Sequence, residues 1–271
     1  MKPIANYEFN NASLIDGIIL VSQAIRPDFP QALVTEQLTA LTEKAQKKLS
    51  PFGDADIEIR LQALLNLFYK VWKFGSAEGV YCLSDTLWLD SVLDSRQGSP
   101  VALGTLFAHI AQTLAIPVQP VIFPTQLILR IDLPDQPVWL INPMDGERLD
   151  EHILDVWLKG HIGPTAQLKK KDLQEADNSS VVRKVTDTIK VSLMEEKKME
   201  LALRASEVVL VFDPEDPYEI RDRGLIYAQL ECNHIAVSDL SYFVKHCPED
   251  PISEMIKMQI KGIVSQQLVL H

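Results

Sequence analysis

Cysteine is scarce in this 271-residue sequence: Cys82, Cys232 and Cys247 are the only three, an odd number scattered along the chain. That count argues against a disulfide framework and the spacing against a zinc cluster, so a reducing, cytoplasmic setting without a structural metal is expected. Long apolar runs are missing too. No stretch approaches the roughly 18 consecutive apolar residues that a membrane-crossing helix needs. The opening MKPIANYEFNNASLIDG has no basic region leading into an apolar core and no small-residue cleavage site, so secretion is not expected. There is no glycine-rich phosphate loop, no HExxH and no His/Cys group at metal-ligand spacing, and no cofactor is expected. Positive charge is in deficit: 26 Lys and Arg against 37 Asp and Glu leave a formal net charge of −11. Nucleic acid and anionic membrane are therefore disfavoured as partners. The basic run Lys169 to Lys171 reads as a solvated linker.

What is present is a succession of helical patterns, a short β-rich stretch, and more helix. From Ser13 to about Trp72 apolar residues recur at helical spacing in LIDGIILVSQAI, QALVTEQLTALTEKAQKKL and IEIRLQALLNLFYKVW, with Pro27, Pro30, Pro51 and Gly53 between them. A small helical bundle is expected there, then a short helix in DTLWLDSVLDSR. Ser99 followed by Pro100 predicts the start of a helix over about 100–114, a serine cap with proline at the first position. After Pro117 the pattern becomes extended and β-branched in VQPVIF, QLILRID and PVWLIN, separated by Pro124 and the turn LPDQP. Three strands in succession predict an antiparallel sheet packed on the preceding helix. Helix returns in HILDVWLKG. The length allows two domains, and the polar stretch after it sets the expected division: an α+β domain over 1–165, a linker over 166–180 and an all-α domain over 181–271.

The last part contains a countable repeat. PEDP occurs at 214–217 and again at 248–251, 34 residues on, which is the period of tetratricopeptide helix pairs. With Pro248 as a closing proline, Gly224, Tyr227 and Ala236 fall on the repeat's small, aromatic and small positions, where two helices approach closely. One repeat earlier Ala202 and Pro214 fit, but Lys190 stands where a small residue is expected. One good repeat flanked by degenerate helices would make a short helical stack.

The stretches YCLSDTLWLDSVLDSRQGSPVALGTLFAHIAQTLAIPVQPVIFPTQLILR, WLINPMDGERL and RDRGLIYAQL, taken in that order, resemble the SirB/YchA-type family, in which a transglutaminase-like core of the papain-type superfamily precedes tetratricopeptide repeats. The resemblance covers roughly 65–270 and implies a transglutaminase-like α+β domain. Active members of the superfamily place a cysteine at the start of the core helix, a histidine on the next strand and an aspartate on the strand after: a thiolate attacks a carbonyl, the imidazole carries the proton, and the carboxylate holds the imidazole. Aligning LAIP at 114–117 with the family's helix end puts the nucleophile position at Pro100, the histidine position at Gln126 and the aspartate position at Asn142. Proline cannot attack and glutamine cannot act as a base near neutral pH. All three positions are non-catalytic in this chain.

Three other residues are candidates for displaced chemistry. Ser99 and His109 lie on the same expected helix, yet ten residues separate their positions by about 15 Å along the axis. Ser99 is better read as the cap and His109 as a structural histidine. Cys82 precedes the core helix without an identifiable orienter. Asp145 and Glu147 in PMDGER read as a solvated turn. Arg130, Arg221 and Arg223, with Tyr227 of the repeat, are the candidates for binding an acidic group or peptide, with ion pairing to Asp222, Asp239 or the PEDP carboxylates as the alternative use of the arginines. The expected function is that of a non-catalytic protein that binds a protein or peptide partner through its helical repeats, in a regulatory or scaffolding role. The alternative is a cysteine or serine hydrolase or acyltransferase that uses a displaced nucleophile.

Overall fold

Ser99 and Pro100 start a helix as their chemistry requires. In a computed structural model, which describes residues 2–77, 79, 82–133 and 136–269, helix α6 runs Pro100–Thr113 with Ser99 as its cap and its side chain accepting from the Ala102 N–H at 3.3 Å. Before it come α1 (Lys2–Ala5), α2 (Leu14–Ile25), α3 (Gln31–Leu49), α4 (Ile57–Leu65) and α5 (Leu89–Ser95). The expected helix over 57–72 changes character partway, because Asn66–Val71 is a π-helical turn. Two short strands escaped the periodicity: β1 (Gly75–Ser76) pairs in parallel with β2 (Gln97–Gly98), and two residues are too few for alternation to register.

The sheet is a four-stranded antiparallel meander, β3 (Gln119–Ile122), β4 (Leu127–Ile131), β5 (Trp139–Ile141) and β6 (Arg148–Leu149), one strand more than expected. Register is fixed by pairs such as Val121 with Ile128, Leu129 with Ile141 and Leu140 with Leu149. Strand β4 is buried nearly throughout, which requires cover on both faces. One cover is α6, whose Gly104 allows the close approach: a Cβ there would stand 2.4 Å from Leu127 and 3.3 Å from Pro143. The other is α7 (Glu151–His161), which packs Leu154 and Leu158 on Val121, Phe123, Ile128 and Leu140, with Ala166, Leu168 and Leu173 extending the cluster. The Ala176 N–H donates to the Pro120 carbonyl at 2.9 Å, and the basic run at 169–171 is exposed beside a short 3₁₀ turn. Pro134 and Asp135 of the expected LPDQP turn lie outside the described residues.

The rest is helical: α8 (Asn178–Glu195), α9 (Met199–Phe212), α10 (Pro217–Gln229), α11 (Asn233–His246) and α12 (Ser253–Val269). Each PEDP precedes a helix. Asp216 caps α10 by accepting from the Tyr218 and Glu219 N–H groups with Pro217 at the first position, and Asp250 accepts from the Ile252 N–H just before α12. Gly224 and Ala236 behave as a tetratricopeptide pair should. A Cβ on Gly224 would stand 3.0 Å from Asp239 and Leu240 of α11, and Ala236 is fully buried. The fold class is therefore α+β in the core with an all-helical C-terminal region. By spatial clustering the chain forms two compact units, one made of Glu8–Leu20 and Asp28–Val185, the other of Val21–Pro27 with the chain before Glu8 and after Val185.

Candidate functional site

Pro100, Gln126 and Asn142, the residues expected at the triad positions, stand at the start of α6, in the β3–β4 connection and just after β5. Pro100 occupies the first turn of α6, where its missing N–H leaves no hydrogen bond unmade, and it offers no nucleophilic atom. Gln126 and Asn142 line one cavity of about 340 Å³, together with Ser76, Thr125, Trp157 and His161. Met144 and Asp145 complete the lining, which thus carries hydroxyl, amide, imidazole and carboxylate groups beside the Met144 and Trp157 side chains. The Thr125 Oγ1 is buried without a hydrogen-bond partner, a donor and acceptor that the fold itself leaves unused on a residue of the lining.

Asn142 has taken on a structural role. Its Nδ2 donates to Asp145 Oδ2 at 2.9 Å, its Oδ1 accepts from the Met144 N–H at 3.2 Å, and its carbonyl accepts from the Gly146 N–H at 2.9 Å. Asp145 Oδ1 in turn accepts from the Glu147 N–H at 2.9 Å. The Asn142 amide thus organises a tight turn. Tyr69 of the π-helical segment holds the same turn from the other side by donating to the Pro143 carbonyl at 3.0 Å.

The displaced candidates stand elsewhere. Ser99 is the helix cap described above, Cys82 is an exposed free thiol ahead of a 3₁₀ turn, and neither lines the cavity. His109 sits part-buried on α6, also outside that lining; burial holds its pKa below the ordinary value, opposed by the Asp16 carboxylate. His161, which sequence reasoning missed, does reach the cavity. Its Nδ1 lies 2.9 Å from the Trp157 carbonyl, and donation there leaves Nε2 as the acceptor. Nothing in HILDVWLKGH distinguishes it from a surface histidine near a helix end. Tyr69 and Gly146 were missed as well, although the Asp-Gly pair in PMDGER signals a turn needing positive φ.

The candidate binding arginines are held within the fold. Arg130 donates from Nε and Nη2 to Asp132 at 3.0 Å each and from Nη1 to the Leu173 carbonyl at 2.7 Å. In the helical unit Arg223 forms a bidentate pair with Asp239 at 2.7 and 2.9 Å, which raises its pKa. Arg221 donates to Asp222 at 2.6 and 3.0 Å and lies over the rings of Tyr218 and Phe243. Tyr227 is half-buried, and desolvation raises its phenol pKa. Lys190 has only 1% of its side chain exposed and is met by Glu219 at 2.5 Å, Asp222 at 2.8 Å and Asp187 at 2.9 Å. The Ser206 hydroxyl donates to the second oxygen of Glu219 at 2.8 Å. The same unit carries a groove of about 600 Å³ between Met194, Met199, Leu225, Leu240 and Ile263.

Among the described residues no group of three or more His, Cys, Asp and Glu side chains could hold a metal ion, and no helix is long and apolar enough to cross a membrane. The model of the transglutaminase-like superfamily matches residues 32–187, and a tetratricopeptide repeat model matches 189–261. Protein SirB1 of Salmonella typhimurium is 59% identical over 271 residues, covering all of both chains. YchA of Escherichia coli K12 is 57% identical over the same full length of both, and a Vibrio cholerae relative is 37% identical over 273 residues, again covering all of both. No solved structure matches the chain.

Proposed function

The chain belongs to the SirB1/YchA family, in which a transglutaminase-like core is joined to a tetratricopeptide region, and on that premise we propose that it works without catalysis, by binding a protein partner. The reading rests on Pro100, Gln126 and Asn142, where the family resemblance puts the triad: none supplies a nucleophile, a base or a carboxylate, and Asn142 is committed to a turn. What is left for function is shape. Tetratricopeptide helices are an interaction fold, and the apolar, methionine-bearing groove of the helical unit suits a peptide or helix. The role is regulatory or scaffolding, and the compartment is the cytoplasm, consistent with three free cysteines. The net charge of −11 argues against nucleic acid and membrane as partners.

A photo-crosslinking residue at Gln229, on the rim of that groove, tests the reading in cells. One defined partner should be trapped there and not from the exposed Lys44. Trapping should vanish with Gly262→Trp, since a side chain at 262 meets nothing within 4 Å and would fill the groove. Equal trapping from both positions, or trapping unaffected by Gly262→Trp, defeats the proposal. A second reading, hydrolysis or acyl transfer by a displaced nucleophile, is favoured only by the unpartnered Thr125 hydroxyl on the same cavity as His161. Stoichiometric labelling of one residue by a fluorophosphonate or thiol-reactive probe, lost on its mutation to alanine, would establish that reading and overturn the first.

A further inference from the structure

Beyond the turn organised by Asn142 lies a second cavity, of about 340 Å³, which the triad positions do not line. Its walls are built rigidly. The π-helical turn Asn66–Val71 forms one side, and π-helical insertions recur at functional sites because they re-aim side chains out of helical register. Gly146 forms the base with φ +79°, and a Cβ there would stand 2.4 Å from the Tyr69 ring, so ring and turn are locked together. Aromatic packing of Tyr69 on Phe68 and Phe107 fixes the ring in turn.

Several residues on this cavity make no hydrogen bond or ion pair with the described residues through their polar side-chain groups: Trp139 at its buried indole, and Lys70, Glu147 and Arg148 at exposed side chains. Trp139 is 8% exposed, and its indole Nε1 is buried with no hydrogen-bond partner. A buried N–H of this kind costs free energy unless something accepts from it. Arg148 lies over the Trp139 ring at 4.6 Å, and among the described residues neither Arg148 nor Lys70, both on the lining, makes an ion pair. Two exposed cations and one buried, unanswered N–H therefore belong to residues that line one cavity. The acidic side is different in kind. Both oxygens of Asp145 already accept hydrogen bonds, whereas the Glu147 carboxylate accepts none. Leu65 and Ile141 supply apolar wall.

A simple anion would satisfy the cations and leave Glu147 facing it with like charge. A simple cation would leave the Trp139 N–H unanswered. We propose that this cavity binds a small amphipathic zwitterion, an α-amino acid with an aliphatic side chain. Its carboxylate is received by Trp139 Nε1, Arg148 and Lys70, its ammonium by Glu147, and its side chain by Leu65 and Ile141. The volume lies at the small end of ligand pockets, consistent with a free amino acid and too small for a cofactor. This site is separate from the partner-binding reading of the helical unit and does not depend on it.

The test uses the full-length protein labelled with ¹⁵N and its indole N–H resonances, which four tryptophans supply. The Trp139 resonance is identified by its loss in Trp139→Phe. Titration with L-leucine should shift that resonance saturably in the millimolar range or tighter, while N-acetyl-leucine, which lacks the ammonium, and leucinamide, which lacks the carboxylate, should bind at least about tenfold more weakly. Lys70→Met, at an exposed position, should weaken leucine binding by a similar factor, and Glu147→Gln should weaken leucine but not N-acetyl-leucine. If Trp139→Phe disturbs the fold, the remaining indole resonances report it and Lys70→Met and Glu147→Gln carry the test. No saturable shift up to about 10 mM leucine, or N-acetyl-leucine binding as tightly as leucine, overturns the proposal.

Discussion

Replacing Lys190 with methionine isolates the energetics of the buried charge cluster in the helical unit. The lysine is nearly unexposed, and so is Glu219, with 5% of its side chain exposed, whereas Asp222 and Asp187 reach solvent at 18% and 41%. Methionine fills much of the lysine's volume, so the loss is mainly electrostatic. Without the ammonium, Glu219 keeps only the Ser206 hydroxyl, and a lone buried carboxylate costs several kcal/mol. It has an escape, which is to bind a proton. Burial already pushes the Glu219 pKa above its ordinary 4.5, opposed by Lys190. Protonation at pH 7 costs about 1.4 kcal/mol for each pH unit above 4.5, or about 3.4 kcal/mol, which caps the penalty; at pH 5 the cap falls below about 1 kcal/mol. Lys190→Met should therefore destabilise the helical unit by about 3 kcal/mol at pH 7 and by less than half of that at pH 5. Adding Glu219→Gln, which keeps an acceptor for Ser206, should recover most of the loss at pH 7. Urea unfolding followed by far-ultraviolet circular dichroism reads this out. All four tryptophans, at 72, 88, 139 and 157, lie in the other unit, so their fluorescence serves as the internal control. A loss under about 1 kcal/mol at pH 7, or an equal loss at both pH values, would refute the reasoning.

The remaining expectations concern the transglutaminase-like unit. Ala115 ends α6 in the left-handed region at φ 55°, with the Ala115 N–H bonded to the Gln112 carbonyl and the Ile116 N–H to the Ala111 carbonyl, both at 2.9 Å. Ala115→Gly should therefore raise stability by about 1 kcal/mol, seen as a few degrees in the fluorescence melting midpoint. Gly146→Ala adds backbone strain to a clash with a buried ring and should cost more than about 2 kcal/mol by the same melt. Burial lowers the His109 pKa, so its stabilising share is present above the unfolded value of 6.5 and is lost as pH falls below it; His109→Gln should flatten that part of the stability profile. Asn142→Asp replaces a donor facing Asp145 with a second carboxylate and should lower stability by about 1–2 kcal/mol at pH 7, with recovery near pH 4 as one carboxyl takes up a proton.

Helix and strand positions were legible wherever one face is buried over several residues, as in α3, whose Val34, Leu38, Leu41, Ala45 and Leu49 form a single stripe. The start of α6 was legible from two residues, because serine and proline act locally. The two-residue strands were not, since they are held by pairing across sequence rather than by their own pattern. Nor was the π-helical turn, where FYK reads like any other helical stretch and Tyr69 meets Pro143 and Gly146 from far along the chain. The repeat positions Gly224 and Ala236 were legible because close helix approach tolerates few residue types. Lys190 was legible only as an anomaly: its three carboxylates come from two helices, and no local pattern announces them.

That anomaly and Asn142 make the same physical point in opposite directions. At 190 a charged residue stands at a position expected to be small, and the fold answers it with carboxylates from its own helix and from α10. At 142 a neutral amide stands where the resemblance leads one to expect a carboxylate, and the turn uses its ability to donate: Nδ2 to Asp145, with Asp145 then fixing the Glu147 N–H. An aspartate returned to 142 would face another carboxylate before it faced any imidazole. Pro100 is bound to its place in a similar way, since it fits the first turn of α6 without leaving an N–H unmet. Gly104, Leu127 and Pro143, by contrast, form the close helix-to-sheet packing of this core. By the family resemblance, a thiol placed at 100 would find Gln126 and Asn142, neither a base nor a carboxylate, at the other two expected positions.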